Sequence, residues 1–218
     1  MMAAVLTIVS GGTTKAMKAR RLFLISCAVL ACVLLLPGRA LACACCSNTG
    51  DYLISFGRPS AYELDLLKTM RFGGAAHLYL TEAEDGAKGI TGAAETYSLS
   101  GSLVGGVWRL TFRDGGKSGT LSLPLPPKML SYKADTRDGQ TSPGGGPMLY
   151  KEWRFEGQVS GTGLFRPGTT APAKYFLVLQ GRGNGCDNAE DFKHWRLQVT
   201  GRNAEYAFYG ELAAPSAR

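Results

Sequence analysis

Histidine is scarce in this chain. His77 and His194 are the only two in 218 residues. A nucleophilic serine or cysteine needs a base within reach and a third group to orient that base. With two histidines and no G-x-S-x-G, the sequence offers no such constellation. It also lacks a P-loop and a dinucleotide-binding glycine pattern behind a strand. No repeat recurs at a period of 20 to 50 residues. Acidic residues are missing from positions 1 to 42, which hold Lys15, Lys18, Arg20, Arg21 and Arg39. The chain has 24 Lys and Arg against 17 Asp and Glu, so setting those five aside leaves 19 against 17. The pI near 9.2 therefore belongs largely to the leader. The clustered excess charge of a nucleic-acid-binding domain is absent, which argues against that class.

Positions 18 to 42 read as a secretory signal. Lys18, Arg20 and Arg21 precede the apolar run Leu22–Leu36, Pro37 and Gly38 end it, and Ala40-Leu41-Ala42 supplies the small residues a signal peptidase reads. The run has 15 residues, short of the ~20 a membrane-crossing helix needs. Met17 is the expected start. No second long apolar segment follows, so no membrane span is expected. The predicted organisation is a signal peptide over 1–42 and one β-rich domain over 43–218. The expected location is the periplasm or the exterior of a cell with bacterial-type secretion.

Export makes the cysteines informative. Cys43, Cys45, Cys46 and Cys186 remain after cleavage, in a compartment where paired thiols are the expected state. A Cys45–Cys46 bridge needs a strained vicinal ring, and pairs within the cluster are tight. The expectation is a long-range bridge from Cys45 or Cys46 to Cys186. Two readings compete for the cluster. Lipid attachment at Cys43 would anchor the protein, although Ala40 stands where lipoprotein signals usually carry Leu. Alternatively, Cys43, Cys45 and Cys46, with His77 or His194, would bind copper(I) or zinc, since soft thiolates select these metals. Closed zinc sites prefer C-x2-4-C spacing with a second ligand pair, so no cofactor is the leading expectation.

The body of the chain changes period. Ser60 and Glu63 form a capping box ahead of Leu64, Leu67 and Met70 at helical spacing, with Gly73 as the expected stop. From position 75 onward the period is two. Tyr97, Leu99 and Leu103 alternate with polar residues, as do Trp108, Leu110 and Phe112, then Leu121, Leu123 and Leu125. Trp153, Phe155 and Val159 repeat the pattern, followed by Trp195, Leu197 and Val199, and by Tyr206, Phe208 and Leu212. One dry and one wet face is the mark of antiparallel sheet. Strands are expected at 75–83, 95–103, 106–113, 118–125, 129–135, 148–160, 174–182, 193–200 and 204–212. Short hairpins without crossover helices predict an all-β fold, an up-and-down meander of about nine strands closed or nearly closed into a barrel, with a two-sheet sandwich as the alternative. The connection 136–147 is expected to be mobile from its composition.

Chemistry is hard to find in this body. Carboxylates sit mostly on wet faces, where they solvate the sheet rather than form a hydrolytic pair. Around Cys186 the segment "NGCDNAEDF" crowds Asn184, Asp187, Asn188, Glu190 and Asp191. Oxygen-rich clusters suit calcium, but the EF-hand spacing is missing. A one-turn helix with acids in its first turn explains the same residues. The leading expectation is a non-enzymatic binding or envelope-associated protein. Trp108, Trp153, Trp195, Tyr206 and Phe208 are its candidate pocket, and a small molecule or an envelope protein its partner.

Overall fold

The computed structural model describes residues 45–79 and 87–213, all within the compact unit Cys43–Arg218. The expected signal segment, Cys43 and the far end of the predicted strand 75–83 lie outside the described residues.

Among the described residues the chain runs β1 (Tyr52–Gly57), α1 (Ala61–Thr69), β2 (Arg71–Leu78), β3 (Thr96–Val104), β4 (Val107–Asp114) and β5 (Lys117–Pro124). It continues through β6 (Met129–Asp135), β7 (Leu149–Gly163), β8 (Ala173–Gly183), a 3-10 turn (Ala189–Asp191), β9 (Phe192–Gly201) and β10 (Ala204–Ala213). The helix begins where the sequence places it. Ser60 Oγ accepts from the Glu63 N–H at 3.2 Å, and the Glu63 carboxylate accepts from the Ser60 N–H at 2.7 Å. It ends earlier than expected. Met70 is already extended, and Gly73 lies inside β2 rather than stopping the helix. Leu67 and Met70 are buried, and Leu64 and Leu66 pack on the core.

All pairings are antiparallel, and the sheet closes. Strands β2, β3, β4, β5, β7, β8, β9 and β10 form an eight-stranded barrel, sealed by β7–β8 on one side and β10–β2 on the other. From β2 onward the meander breaks once. β5 pairs with β7 and not with β6, because β7 is long enough to serve two neighbours. Residues Leu149–Arg154 of β7 pair with β6, while Ser160–Gly163 pair with β5. At the second junction, a Cβ on Gly119 would meet the Leu164 backbone nitrogen at 2.8 Å, and Gly163 has φ of +57°. Glycine is required at both places for the strands to meet. β6 leaves the barrel wall and carries β1 on its far edge. β1 is the strand the sequence reading missed. All but its last residue is exposed, so it has no alternation of wet and dry.

Of the apolar residues named from alternation all but Leu125 are buried in the core, and Leu125 is partly buried against it. Rings meet at close range inside the barrel: Trp108 and Phe155 at 4.9 Å, Phe72 and Trp195 at 5.5 Å, Trp153 and Phe192 at 4.5 Å, Phe112 and Phe208 at 4.7 Å between centroids. The Trp108–Phe155 and Phe72–Trp195 pairs are edge-to-face and the other two are tilted; aromatic pairs add ~0.5–1.5 kcal/mol beyond the area they bury. The 136–147 connection carries internal ties. Ser142 is buried, donates its backbone N–H to the Gly146 carbonyl at 3.0 Å and its hydroxyl to the Gly145 carbonyl at 2.8 Å.

Candidate functional site

The five aromatic residues proposed for a pocket do not line an open one. Trp108, Trp153, Trp195, Tyr206 and Phe208 are all buried members of the core, each packed against other rings. The reason is volume: bulky side chains from all around an eight-stranded barrel fill its interior. Trp195 alone among them reaches an outer groove, described below, past Gly210. A Cβ on Gly210 would meet its ring at 2.9 Å.

Cys45 and Cys186 form the long-range disulfide, 141 residues apart with alpha carbons 4.7 Å apart, within the usual range. The sequence left open whether Cys45 or Cys46 is the partner; Cys45 is. The Gly185 N–H donates to the Cys45 carbonyl at 2.8 Å and sets the two strands of chain side by side. Cys46 Sγ lies 3.5 Å from the Gly144 carbonyl oxygen.

Beside the bridge lies a charge network that the sequence reading did not find. Lys151 of β7 is 0 % exposed. Its ammonium meets the Asp191 carboxylate at 2.6 Å and donates to the Cys186 carbonyl. Lys133 of β6 meets Asp187 at 2.9 Å and donates to the Gly185 carbonyl at 2.7 Å. Asp187 Oδ1 is 3.6 Å from Lys151, beyond hydrogen-bond range, and has no hydrogen-bond partner among the described residues. The acids around Cys186 therefore meet lysines and hold the bridge loop against β6 and β7. The turn Ala189–Asp191 is the expected one-turn helix, with Asn188 as its N-cap. A signal for Lys151 was present: it shares the parity of Trp153 and Phe155 on an otherwise dry face.

The metal-ligand candidates are not assembled. Cys45 is consumed in the bridge and Cys43 is outside the described residues. His77 on β2 and His194 on β9 are separated by β10, where Tyr209 faces His77 and Glu211 faces His194. Among the described residues no group of three or more His, Cys, Asp or Glu side chains is placed to hold a metal ion.

The two histidines do share one feature, a groove of about 940 Å³ on the outer face of β7, β8, β9, β10 and β2. Its floor dips where side chains are small, at Gly73, Gly74 and Ala75 of β2 and at Gly210, beside the register shift of β10. Val178 of β8 is only 4 % exposed although it points away from the core residues Leu177 and Leu179. Its register neighbours are Arg154 and Arg196, whose stems flank it as long cationic side chains do. Along one wall Glu152 accepts from Arg154 and from the Tyr150 hydroxyl, and Tyr150 also lies 3.3 Å from Gln180 Oε1. Burial first, then the Glu152 carboxylate, pushes the Tyr150 phenol well above its ordinary pKa. On the opposite wall the His77 and Tyr209 rings lie 5.3 Å apart, and His77 Nδ1 is 3.2 Å from Thr96 Oγ1. Between them, the side chains of His194, Arg196 and Glu211 make no hydrogen bond or ion pair among the described residues. The groove thus offers a cation, a carboxylate and an imidazole beside two aromatic rings.

Fold and site define a closed eight-stranded antiparallel barrel with a two-stranded ribbon, a disulfide-fastened end and an outer groove. No family model matches the chain, and neither a curated protein nor a solved structure matches it. Among the described residues no helix is long and apolar enough to cross a membrane.

Proposed function

We propose that this chain is an exported, non-enzymatic binding protein of the periplasm or cell exterior, and that it takes a small molecule or an envelope protein on its outer groove. The observation that carries the reading is the contrast between a filled interior and an outer groove whose His194, Arg196 and Glu211 side chains have no partner among the described residues. Binding sites combine apolar walls with a few convergent polar groups, and the groove joins Tyr209, Phe176 and Val178 to those three side chains. Export is supported by the Leu22–Leu36 run with its basic flank, and by a bridge of the kind that persists in oxidising compartments.

The test has two arms. The full-length gene is expressed in a secretion-competent bacterium, and the product is located and weighed intact. A product outside the cytoplasm, beginning at Cys43 and lighter by two hydrogens for each bridge, agrees with the proposal. A lipid appears as a large added mass. A cytoplasmic product with its leader intact defeats export. In the second arm, amide shifts of the mature protein are followed while envelope oligosaccharides and peptides are added. The expected response is confined to the groove, disappears in R196A, and leaves the ligand chemically unchanged. Shifts elsewhere on the molecule, or conversion of the ligand, would defeat the binding assignment.

A further inference from the structure

β1 is an edge that the usual protections have missed. Exposed sheet edges are normally blunted by charge, proline or short length. β1 has six residues, neither charge nor proline, and among the described residues pairs on one side only. Tyr52, Leu53, Ile54 and Phe56 are 61, 51, 53 and 67 % exposed.

The backbone sets which groups are available. The Asp135 N–H donates to the Asp51 carbonyl at 2.9 Å, so odd-numbered residues turn their polar groups toward β6. Tyr52, Ile54 and Phe56 turn theirs to the open edge, and their side chains share one face. Two copies related by a two-fold axis normal to the sheet can pair only in registers that place a residue opposite its own copy. The register centred on Ile54 places Ile54 opposite Ile54 and Tyr52 opposite Phe56, twice. Every pair is then of the hydrogen-bonded type, giving about six new backbone bonds at two per pair.

Charge agrees with this arrangement. By the β1–β6 register, Asp51 lies opposite Asp135 at one end of the ribbon and Arg58 opposite Lys128 at the other. Antiparallel pairing sets the acidic end of each copy beside the basic end of its mate. Parallel pairing would set acid on acid. Lys128 also covers the Phe56 ring at 5.5 Å, so the basic end adjoins the apolar face.

We infer that the protein forms an isologous dimer in which β1 pairs antiparallel with β1 of a second copy, joining the two sheets. A single pair of six-residue strand edges makes a small contact, at or below the low end of specific interfaces. The dimer therefore dissociates on dilution. This inference is independent of what the groove binds.

The test exploits the self-pairing of Ile54. The oxidised mature protein is sedimented over a concentration series alongside I54K and I54E, with V104K as an exposed control on the β3–β4 hairpin. The wild type and V104K are expected to be dimeric at high concentration. I54K alone and I54E alone place like charges opposite each other and weaken association at least ~100-fold. Mixed one to one, they recover a dimer containing one chain of each kind. A wild type that stays monomeric up to ~1 mM overturns the inference. So does a dimer that I54K leaves intact, or a failure of the mixture to recover while each variant keeps the wild-type circular dichroism.

Discussion

On β9 and β10 the two faces of one wall meet opposite fates. The inner face holds Trp195, Leu197, Val199, Tyr206 and Phe208, all buried, while the outer face holds the exposed His194, Arg196 and Tyr209. Both faces carry rings, but only the inner rings are locked by neighbours on every side. The inner face supplies stability and little freedom to bind. The outer face leaves polar groups exposed and supplies little stability. Lys151 is the exception that sharpens the contrast. It is a charge on the inner face, and it persists there because Asp191 and the Cys186 carbonyl satisfy it.

Phe155→Ala empties part of a core ring cluster and is expected to cost ~3–5 kcal/mol in denaturant unfolding. Lys151→Ala strands Asp191 in a buried site and is expected to cost a comparable ~3–5 kcal/mol. The double change Lys151→Met with Asp191→Leu is expected to regain most of that loss, since burying a pair costs desolvation that apolar replacements avoid. If the double change is as damaged as the single one, the ion pair is not what holds the loop.

Alkaline pH tests the same contrast through the tyrosines. Burial raises the pKa of Tyr97, Tyr175 and Tyr206. A raised folded-state pKa means that the unfolded chain loses these protons first as pH climbs. Stability is therefore full below about pH 10 and falls above it. Denaturation midpoints across that range should decline, while phenolate absorbance of the folded protein lags behind that of the unfolded chain. Smaller effects come from the periphery. Ser60→Ala removes half of the capping box and is expected to cost ~1 kcal/mol. Arg196→Ala on the groove is expected to stay within ~0.5 kcal/mol while abolishing ligand-induced shifts.

Much of the barrel was readable because alternation is local. Whether Trp108, Leu110 and Phe112 face inward depends on their parity along one strand, and nothing distant is needed. The groove was not readable. Its floor depends on Gly210 coming beside Ala75, and its polar set on His77 and His194 joining one surface through an intervening strand. The outward placing of Phe176 and Val178 on β8 was not readable either, because residues 175–179 are an unbroken apolar run with no wet and dry alternation. β1 escaped notice for a related reason: a ribbon wet on both faces has no pattern to detect.

Strand parity, the start of the capped helix, much of the core and the choice of Cys186 as the distant bridge partner follow from the order of residues alone. Each rests on residues a few positions apart, or on the scarcity of alternatives. That β5 skips β6 to reach β7, that Cys45 rather than Cys46 makes the bridge, and that the interior is filled while a groove lies outside emerge only in the folded molecule. Those outcomes depend on strand register and on the volume left by side chains far apart in the chain, which no local period encodes.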